Sequence, residues 1–371
     1  MNNKKFEVYL DFGSSKIRAA AVDKNDSINN FYYESNYFSN SLSIELEIKK
    51  IILDFEKNTN EYLNSINLMM DSSKMQSISL SLSKSFDGVE LKKEDVQFLI
   101  QDAKQQILRN NYDKNIIHII VKNYKIDNKD YDFLPTNIKC NIFSADIIFI
   151  CLPKKIIENV KAIFFKFDIL INQIVCSSYT KSLSYKENFD SIGNIAFIDM
   201  GFNKTSIINY NENKISFFHV IPIGGNHITK DLSQVLNIDL INAEKIKLCF
   251  DKNEHILNEQ KISLELVQQI IFARIEEILE LSSKSIRLNE NLEKFSQPKL
   301  VLMGEGSRIL DNKFKEKISF SHEIDLLEET TQSIFDTSLK SRAGLNKQEV
   351  VIIPKKQIKV GFFEKLFHFF K

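Results

Sequence analysis

Twice in this chain an apolar run ends on an aspartate, turns through a glycine and resumes as a second apolar run. The first instance is VYLDFGSSKIRAAAVD at residues 8–23, and the second is IAFIDMGFNKTSIINY at residues 195–210. In each, Gly follows Asp two residues later, as Asp11–Gly13 and Asp199–Gly201, and hydroxyls come after, as Ser14 and Ser15, then Thr205 and Ser206. This spacing predicts a hairpin between two short strands. Its turn offers backbone N–H groups and hydroxyls to an anion. An Asp beside it suits Mg²⁺, which keeps much of its water shell and prefers oxygen, and Lys16 adds a point charge toward phosphate. One such hairpin is a weak signal. Two of them, about half a chain apart, imply two similar lobes gripping one polyphosphate.

The length of 371 residues exceeds what one simple core supports, so two or more packed units are expected. Lys+Arg and Asp+Glu both number 49, so the balanced charge gives no support for a nucleic-acid partner. The cysteines Cys140, Cys151, Cys176 and Cys249 lack metal-ligand spacing and read as buried apolar residues in a reducing compartment. The six histidines are scattered and carry no metal or catalytic pattern. No run reaches the roughly 18 apolar residues of a membrane span, and MNNKKFEVYL is no secretory signal.

Periodicity predicts strands at 6–12, 17–22, 28–38 and 77–83, and helices at 45–65 and 92–108. Strands at 116–126 and 144–152, a helix at 154–166 and a strand at 168–175 follow. A meander at 195–200, 205–210 and 214–221 opens the second half. Helices at 226–236, 242–248 and 262–285 and a strand at 299–304 complete the body. Residues 346–359, with Pro354, read as a linker. Of the chain's 10 glycines, Gly13, Gly201, Gly224, Gly225, Gly304 and Gly306 directly follow strand-like runs, where the backbone turns sharply or approaches a ligand.

These hairpins resemble the two phosphate loops of the actin, Hsp70 and sugar-kinase ATPase superfamily. VIPIGGNHITKDLSQVL (220–236), NAEKIK (242–247) and LVLMGEGSRI (300–309) are similar to the later motifs of its FtsA family, the bacterial cell division proteins. KKEDVQFLIQDAKQQIL and IIHIIVKNYKIDNKDY, within 92–131, are similar to that family's own inserted subdomain. The resemblance implies an α/β, actin-like two-lobed ATPase fold with ribonuclease-H-like duplicated lobes, an inserted small α+β subdomain and a C-terminal amphipathic helix. The implied domains are a first lobe at 1–79 and 156–192, the insert at 80–155, and a second lobe at 193–320 with a helical part at 226–298. A return to the first lobe follows at 321–345, then the linker and a helix at 360–371.

The roles implied by the resemblance are these. Asp11 and Asp199 organise Mg²⁺ through water. Ser14, Ser15 and Lys16 with Gly13 meet the β and γ phosphates of ATP, and Gly201 and Thr205 form the opposing loop. Gly224 and Gly225 let the backbone pass near the nucleotide, Glu244 and Lys247 reach the ribose, and Gly304, Gly306 and Ser307 line the adenosine pocket. Departures from the family's pattern at Phe202, Asn203, Lys204 and Glu305 point to ATP binding with at most weak hydrolysis. The implied partners are the C-terminal peptide of FtsZ, met by Arg274 or Arg287, further copies of the chain in a filament, other division proteins, and the anionic inner membrane at the septum. Rival readings on the same fold are a small-molecule kinase and a pilus-assembly adaptor.

The segment VGFFEKLFHFFK supports the membrane reading from its residues alone. On a helical wheel Phe362, Phe363, Leu366, Phe367, Phe369 and Phe370 share an arc of roughly 160°, with Glu364, Lys365, His368 and Lys371 opposite. Such a helix lies in a membrane surface, and Lys355, Lys356, Lys359, Lys365 and Lys371 favour an anionic leaflet.

Overall fold

The structure is a computed structural model, and it describes residues 5–25, 29–35, 43–189, 192–249, 262–289, 297–310 and 323–342. The linker expected at 346–359 and the aromatic helix expected at 360–371 lie outside the described residues.

Two sheets share one plan. In the first, β1 (Phe6–Phe12), β2 (Ile17–Asp23) and β3 (Phe31–Ser35) form an antiparallel meander, and β4 (Ser65–Met70) and β9 (Leu170–Cys176) continue it in parallel, in the order β3-β2-β1-β4-β9. In the second, β10 (Asn194–Met200), β11 (Thr205–Asn211) and β12 (Lys214–Ile221) form the meander. Here β13 (Lys299–Met303) and β14 (Ile324–Leu326) continue in parallel, in the order β12-β11-β10-β13-β14. Strand for strand, the second sheet repeats the first, so the duplication seen in the two Asp–x–Gly turns extends to whole lobes.

The third sheet, β5 (Gln76–Leu91), β6 (Lys114–Ile126), β7 (Lys129–Tyr131) and β8 (Ile138–Pro153), lies in sequence between β4 and β9, in the order β5-β8-β6-β7. It is covered by α2 (Lys93–Asn110), whose start is capped where the Asp95 carboxylate accepts the Lys92 N–H at 3.1 Å. The run DIIFICLP has no wet face because both faces are buried. Ile147, Phe149 and Cys151 pack with Val96, Ile100 and Ala103 of α2, while Ile148, Ile150 and Leu152 join the core of the first lobe.

Helix α1 (Ile44–Thr59) starts where the Ser43 side chain accepts the Leu46 N–H. It stops well before residue 65 because Asn60 takes a left-handed backbone (φ 55°) that closes the last turn. α3 (Lys154–Phe165) lies against β8 and β9. In the second lobe α5 (Gly225–Leu236), α6 (Leu240–Cys249) and α7 (Leu264–Asn289) place Ile228, Leu232, Ala243, Ile246, Ile271, Ile275 and Ile278 in one core with Ile198 and Leu302.

Five elements have no counterpart in the periodicity reading, β4 and β7 among them. α4 (Ser177–Tyr185) reads SSYTKSLSY, and its helix is nearly all buried, so no apolar stripe marks it. Its hydroxyls are partnered, as in the 2.8 Å contact between Ser182 Oγ and Tyr210 Oη. β14 spans only three residues. α8 (Thr331–Arg342) has a weak apolar pattern, yet Ile334 and Phe335 are fully buried against Tyr9, Ala20, Val22 and Met69. The helix after each lobe's last strand therefore touches the other lobe: α4 contacts β11, and α8 contacts β2 and β3. Among the described residues no helix is long and apolar enough to cross a membrane.

Phe335→Ala should cost about 3–5 kcal/mol, the usual price of emptying a buried aromatic site, and lower the urea midpoint without changing the slope.

Candidate functional site

The two hairpins bring the site together. In the first, Asp11 stands opposite Arg18 on β2; in the second, Asp199 stands opposite Ser206 on β11. Each turn is closed by one backbone bond: the Gly13 N–H donates to Lys16 O at 3.0 Å, and the Gly201 N–H donates to Lys204 O at 2.9 Å. A Cβ on Gly13 would stand 2.7 Å from Lys16 O, so the turn requires glycine there. Gly304, after β13, has φ +90°, and a Cβ on it would meet Met200 O at 2.7 Å.

The hairpins face each other across a cleft. Of the expected residues, Asp11, Gly13, Ser14, Ser15, Lys16, Asp199, Gly201 and Gly304 line it. Thr205, Gly224, Gly225, Glu244, Lys247, Gly306 and Ser307 do not. Thr205 Oγ1 donates to Ile223 O at 2.8 Å, and Ser307 Oγ donates to Gly304 O at 2.8 Å. The loop after β10 caps α5: Gly201 O accepts the Gly225 N–H at 2.9 Å and Phe202 O accepts the Asn226 N–H at 2.7 Å. Glu244 and Lys247, expected to reach a ribose, turn inward instead. Lys247 Nζ pairs with Glu244 Oε2 at 2.7 Å and donates to Thr229 Oγ1 at 2.9 Å and Gly225 O at 3.1 Å. The Phe202 ring lies beside the same ammonium, its centroid 5.4 Å away. Burial pulls the Lys247 ammonium below the usual lysine value.

The cleft also holds charged side chains that the motif reading missed. Arg18 Nη1 is 3.3 Å from Asp11 Oδ2, its Nε donates to Glu34 Oε2 at 3.1 Å, and its Nη2 pairs with Glu305. Lys16 Nζ lies 2.6 Å from Glu34 Oε1 and 3.1 Å from Glu305 Oε2. Lys181, on α4, stands 3.1 Å from Asp199 Oδ2 and 3.1 Å from Glu329 Oε1. Lys204 meets Asp71 at 2.5 Å and Asp199 at 3.7 Å. Ser177 Oγ donates to Asp11 Oδ1 at 2.8 Å. One sequence signal was available for part of this. Both hairpins read Asp-x-Gly-x-x-Lys, so Lys204 is the counterpart of Lys16 and not a stray replacement of a small residue.

Burial alone would lower the Lys181 ammonium, but Asp199 and Glu329 reverse this and hold it well above the usual lysine value. Lys204 is raised in the same way, with Asp71 and Asp199 overcoming its burial. Burial would raise the Asp71 carboxyl, and Lys204 outweighs it and draws it down. Glu34 is likewise held at about 2 against partial burial, chiefly by the Lys16 hydrogen bond. Glu329 moves the other way: its own burial, with Asp199 near, exceeds the pull of Lys181 and pushes its carboxyl up.

The metal and phosphate groups implied by the fold do not fit this arrangement as it stands. A hydrated Mg²⁺ between Asp11 and Asp199 meets two carboxylates already holding Arg18 and Lys181. The cations Lys16, Arg18, Lys181, Lys204 and Arg308 are each already paired with one or more of Asp11, Glu34, Asp71, Asp199, Glu305 and Glu329. A triphosphate would have to displace these carboxylates to reach the cations. Among the described residues no cluster of His, Cys, Asp and Glu is arranged to hold a metal ion.

On the helical face, Arg274 is already engaged. Its guanidinium grips Asp231 at 2.7 and 2.8 Å and Glu277 at 2.5 Å. Arg287, near the end of α7, is exposed. A partner carboxylate would have to displace Asp231 to reach Arg274.

Lys181→Met leaves buried carboxylates uncompensated and should cost about 3–5 kcal/mol in urea unfolding; a change under about 1 kcal/mol would contradict the geometry. Because the folded Asp71 carboxyl is depressed, its contribution is present above the usual aspartate value and lost as pH falls through the folded one. Stabilities of the wild type and Asp71→Asn should therefore converge below about pH 3.9.

The model of the cell division protein FtsA matches residues 196–340. The FtsA of Buchnera aphidicola subsp. Acyrthosiphon pisum is 23% identical over 349 residues, spanning 83% of this chain and 82% of that protein. The FtsA of Buchnera aphidicola subsp. Baizongia pistaciae is 25% identical over 309 residues, 76% of this chain and 73% of that one. Among solved structures, the PilM–PilN type IV pilus biogenesis complex aligns with TM-score 0.58 at 10% identity over 92% of this chain and 93% of that one. MreB 5 of Spiroplasma citri bound to AMPPNP aligns with TM-score 0.50 at 10% identity over 93% and 98%. The chain is thus similar to the FtsA cell division proteins over most of its length and has the actin-like ATPase fold.

Proposed function

We propose that this actin-like cell division protein is an adaptor. It self-associates into filaments, binds the C-terminal peptide of FtsZ, tethers that polymer to the inner membrane at the septum and offers a docking surface to other division proteins. The observation that carries the reading is the extent of similarity to FtsA, which runs across 83% of the chain and so covers both lobes and the sheet inserted between β4 and β9. The match at 196–340 includes the whole of α7. There Arg287 is exposed while Arg274 is held by Asp231, so a carboxylate of the FtsZ peptide would meet Arg287 first.

The membrane end of the adaptor is assigned to residues 360–371, on the strength of the aromatic arc and its lysines. A short helix of this kind binds reversibly as one copy and firmly as many, because a filament raises the effective concentration of the others. By the resemblance an adenine nucleotide with Mg²⁺ would enter the interlobe cleft, where it would have to displace the ion pairs present. The ion pairs already there make it a modulator of the adaptor and not the source of its work, so turnover is at most weak.

Immobilised FtsZ C-terminal peptide should retain the protein, and Arg287→Glu should weaken retention roughly tenfold, about 1.4 kcal/mol. No retention of the wild type would remove the FtsZ link. Independently, deletion of residues 360–371 should release the protein from anionic liposomes in a sedimentation assay; co-sedimentation at the wild-type level would show that the anchor lies elsewhere.

A further inference from the structure

The charges in the cleft are distributed by a rule. The strand orders β3-β2-β1-β4-β9 and β12-β11-β10-β13-β14 superpose lobe on lobe, and this pairs β1 with β10 and β4 with β13. Lys16 then corresponds to Lys204, each closing its own hairpin with its carbonyl. Each sends its ammonium across the cleft. Lys16 reaches Glu305, just after β13, at 3.1 Å; Lys204 reaches Asp71, just after β4, at 2.5 Å. The exchange is reciprocal about an approximate two-fold axis between the lobes. Arg18 reinforces one side by also pairing with Glu305, and Lys181 joins the centre by crossing to Asp199 at 3.1 Å.

The crossing cations are withdrawn from water. The side chains of Lys16, Arg18, Lys181 and Lys204 are 6%, 6%, 7% and 9% exposed. Charges so buried persist only with partners; Asp11 and Glu34 supply some of them to Arg18 and Lys16 from the same lobe, and Glu305, Asp71 and Asp199 supply the rest from across the cleft. Opening the cleft would strip Lys204 of Asp71 and part Arg18 and Lys16 from Glu305 in the same movement. The metal ion and phosphates implied by the fold would occupy this same space, and the side chains present do not fit them.

We propose that this reciprocal set of interlobe ion pairs is an internal clamp that stands in for a metal–nucleotide complex and holds the two lobes closed in the ligand-free protein. The ammonium groups of Lys181 and Lys204 take the place of the divalent cation beside Asp199, and Glu305 takes the place of a phosphate for Lys16 and Arg18. Closure is then a property of the chain itself. Nucleotide, where it enters, competes with the clamp instead of creating it. The inference rests on the cleft alone and is independent of the FtsZ link.

The test is a distance measurement across the cleft. Spin labels go on cysteines placed at exposed positions of the two lobes, Tyr62→Cys and Val235→Cys, in a Cys249→Ser background that leaves the buried Cys140, Cys151 and Cys176 in place. Pulsed dipolar spectroscopy of the full chain in EDTA, with nucleotide removed, should give one narrow distribution that does not shift on adding Mg²⁺ and ATP. In Asp71→Asn with Glu305→Gln, the nucleotide-free distribution should broaden and move to longer distance. A wild type that is broad or long in EDTA and contracts with Mg²⁺ and ATP would overturn the clamp. So would a folded double variant that keeps the narrow distribution. Should the variant not fold, the wild-type arm decides alone. FtsZ-peptide retention on the same labelled protein separates a failure of the clamp from a failure of the adaptor reading.

Discussion

Fixed positive side chains set against carboxylates between two sheets are the constraint around which the centre of this molecule is arranged. An ammonium or guanidinium removed from water is tolerated only where an acid meets it at contact distance. Lys16 and Lys204 are carried on the hairpin turns, Lys181 comes from the second turn of α4, and Arg18 is the residue of β2 opposite Asp11. Their partners sit on β3, at the ends of β1, β4, β10 and β13, and just before α8. Parallel strands of an open sheet end at the same edge, which is where such folds place their ligands. In this chain that edge is filled by its own side chains.

The neighbouring features serve the same arrangement. Gly13 allows a turn tight enough to aim Lys16 inward, and Gly304 allows β13 to end against Met200 so that Glu305 reaches the opposite lobe. α4 and α8 each pack across to the other lobe, with Ile334 and Phe335 seated on β1 and β2 residues. Apolar packing and ion pairing therefore act across one boundary. A frame closed in this way keeps its outer surfaces, the inserted sheet and the exposed face of α7, in constant relation.

Much of the scaffold was legible before any coordinates. β1, β2, β10 and β11 follow from period and from the Asp–x–Gly turns, and α2, α5 and α7 follow from apolar spacing. These are local signals, and local signals survive in one sequence. α4 escaped because a helix buried on all sides among hydroxyls has no stripe. α8 escaped because its two decisive residues, Ile334 and Phe335, are too few to make one. Of the candidate site, the hairpin residues were found and do face the cleft. The residues expected around a nucleoside, Glu244 and Lys247 among them, are closed on one another, and their spacing alone could not show toward what they point.

The sequence by itself determined the duplication, the two turns and the resemblance to FtsA, since each depends on residues near one another or on their order along the chain. Only the tertiary structure decided which charges meet. Lys204 and Asp71 are 133 residues apart, and Arg18 and Glu305 are 287 apart. No periodicity encodes such pairs, because they exist only after two separately folded sheets come edge to edge and water leaves the space between them.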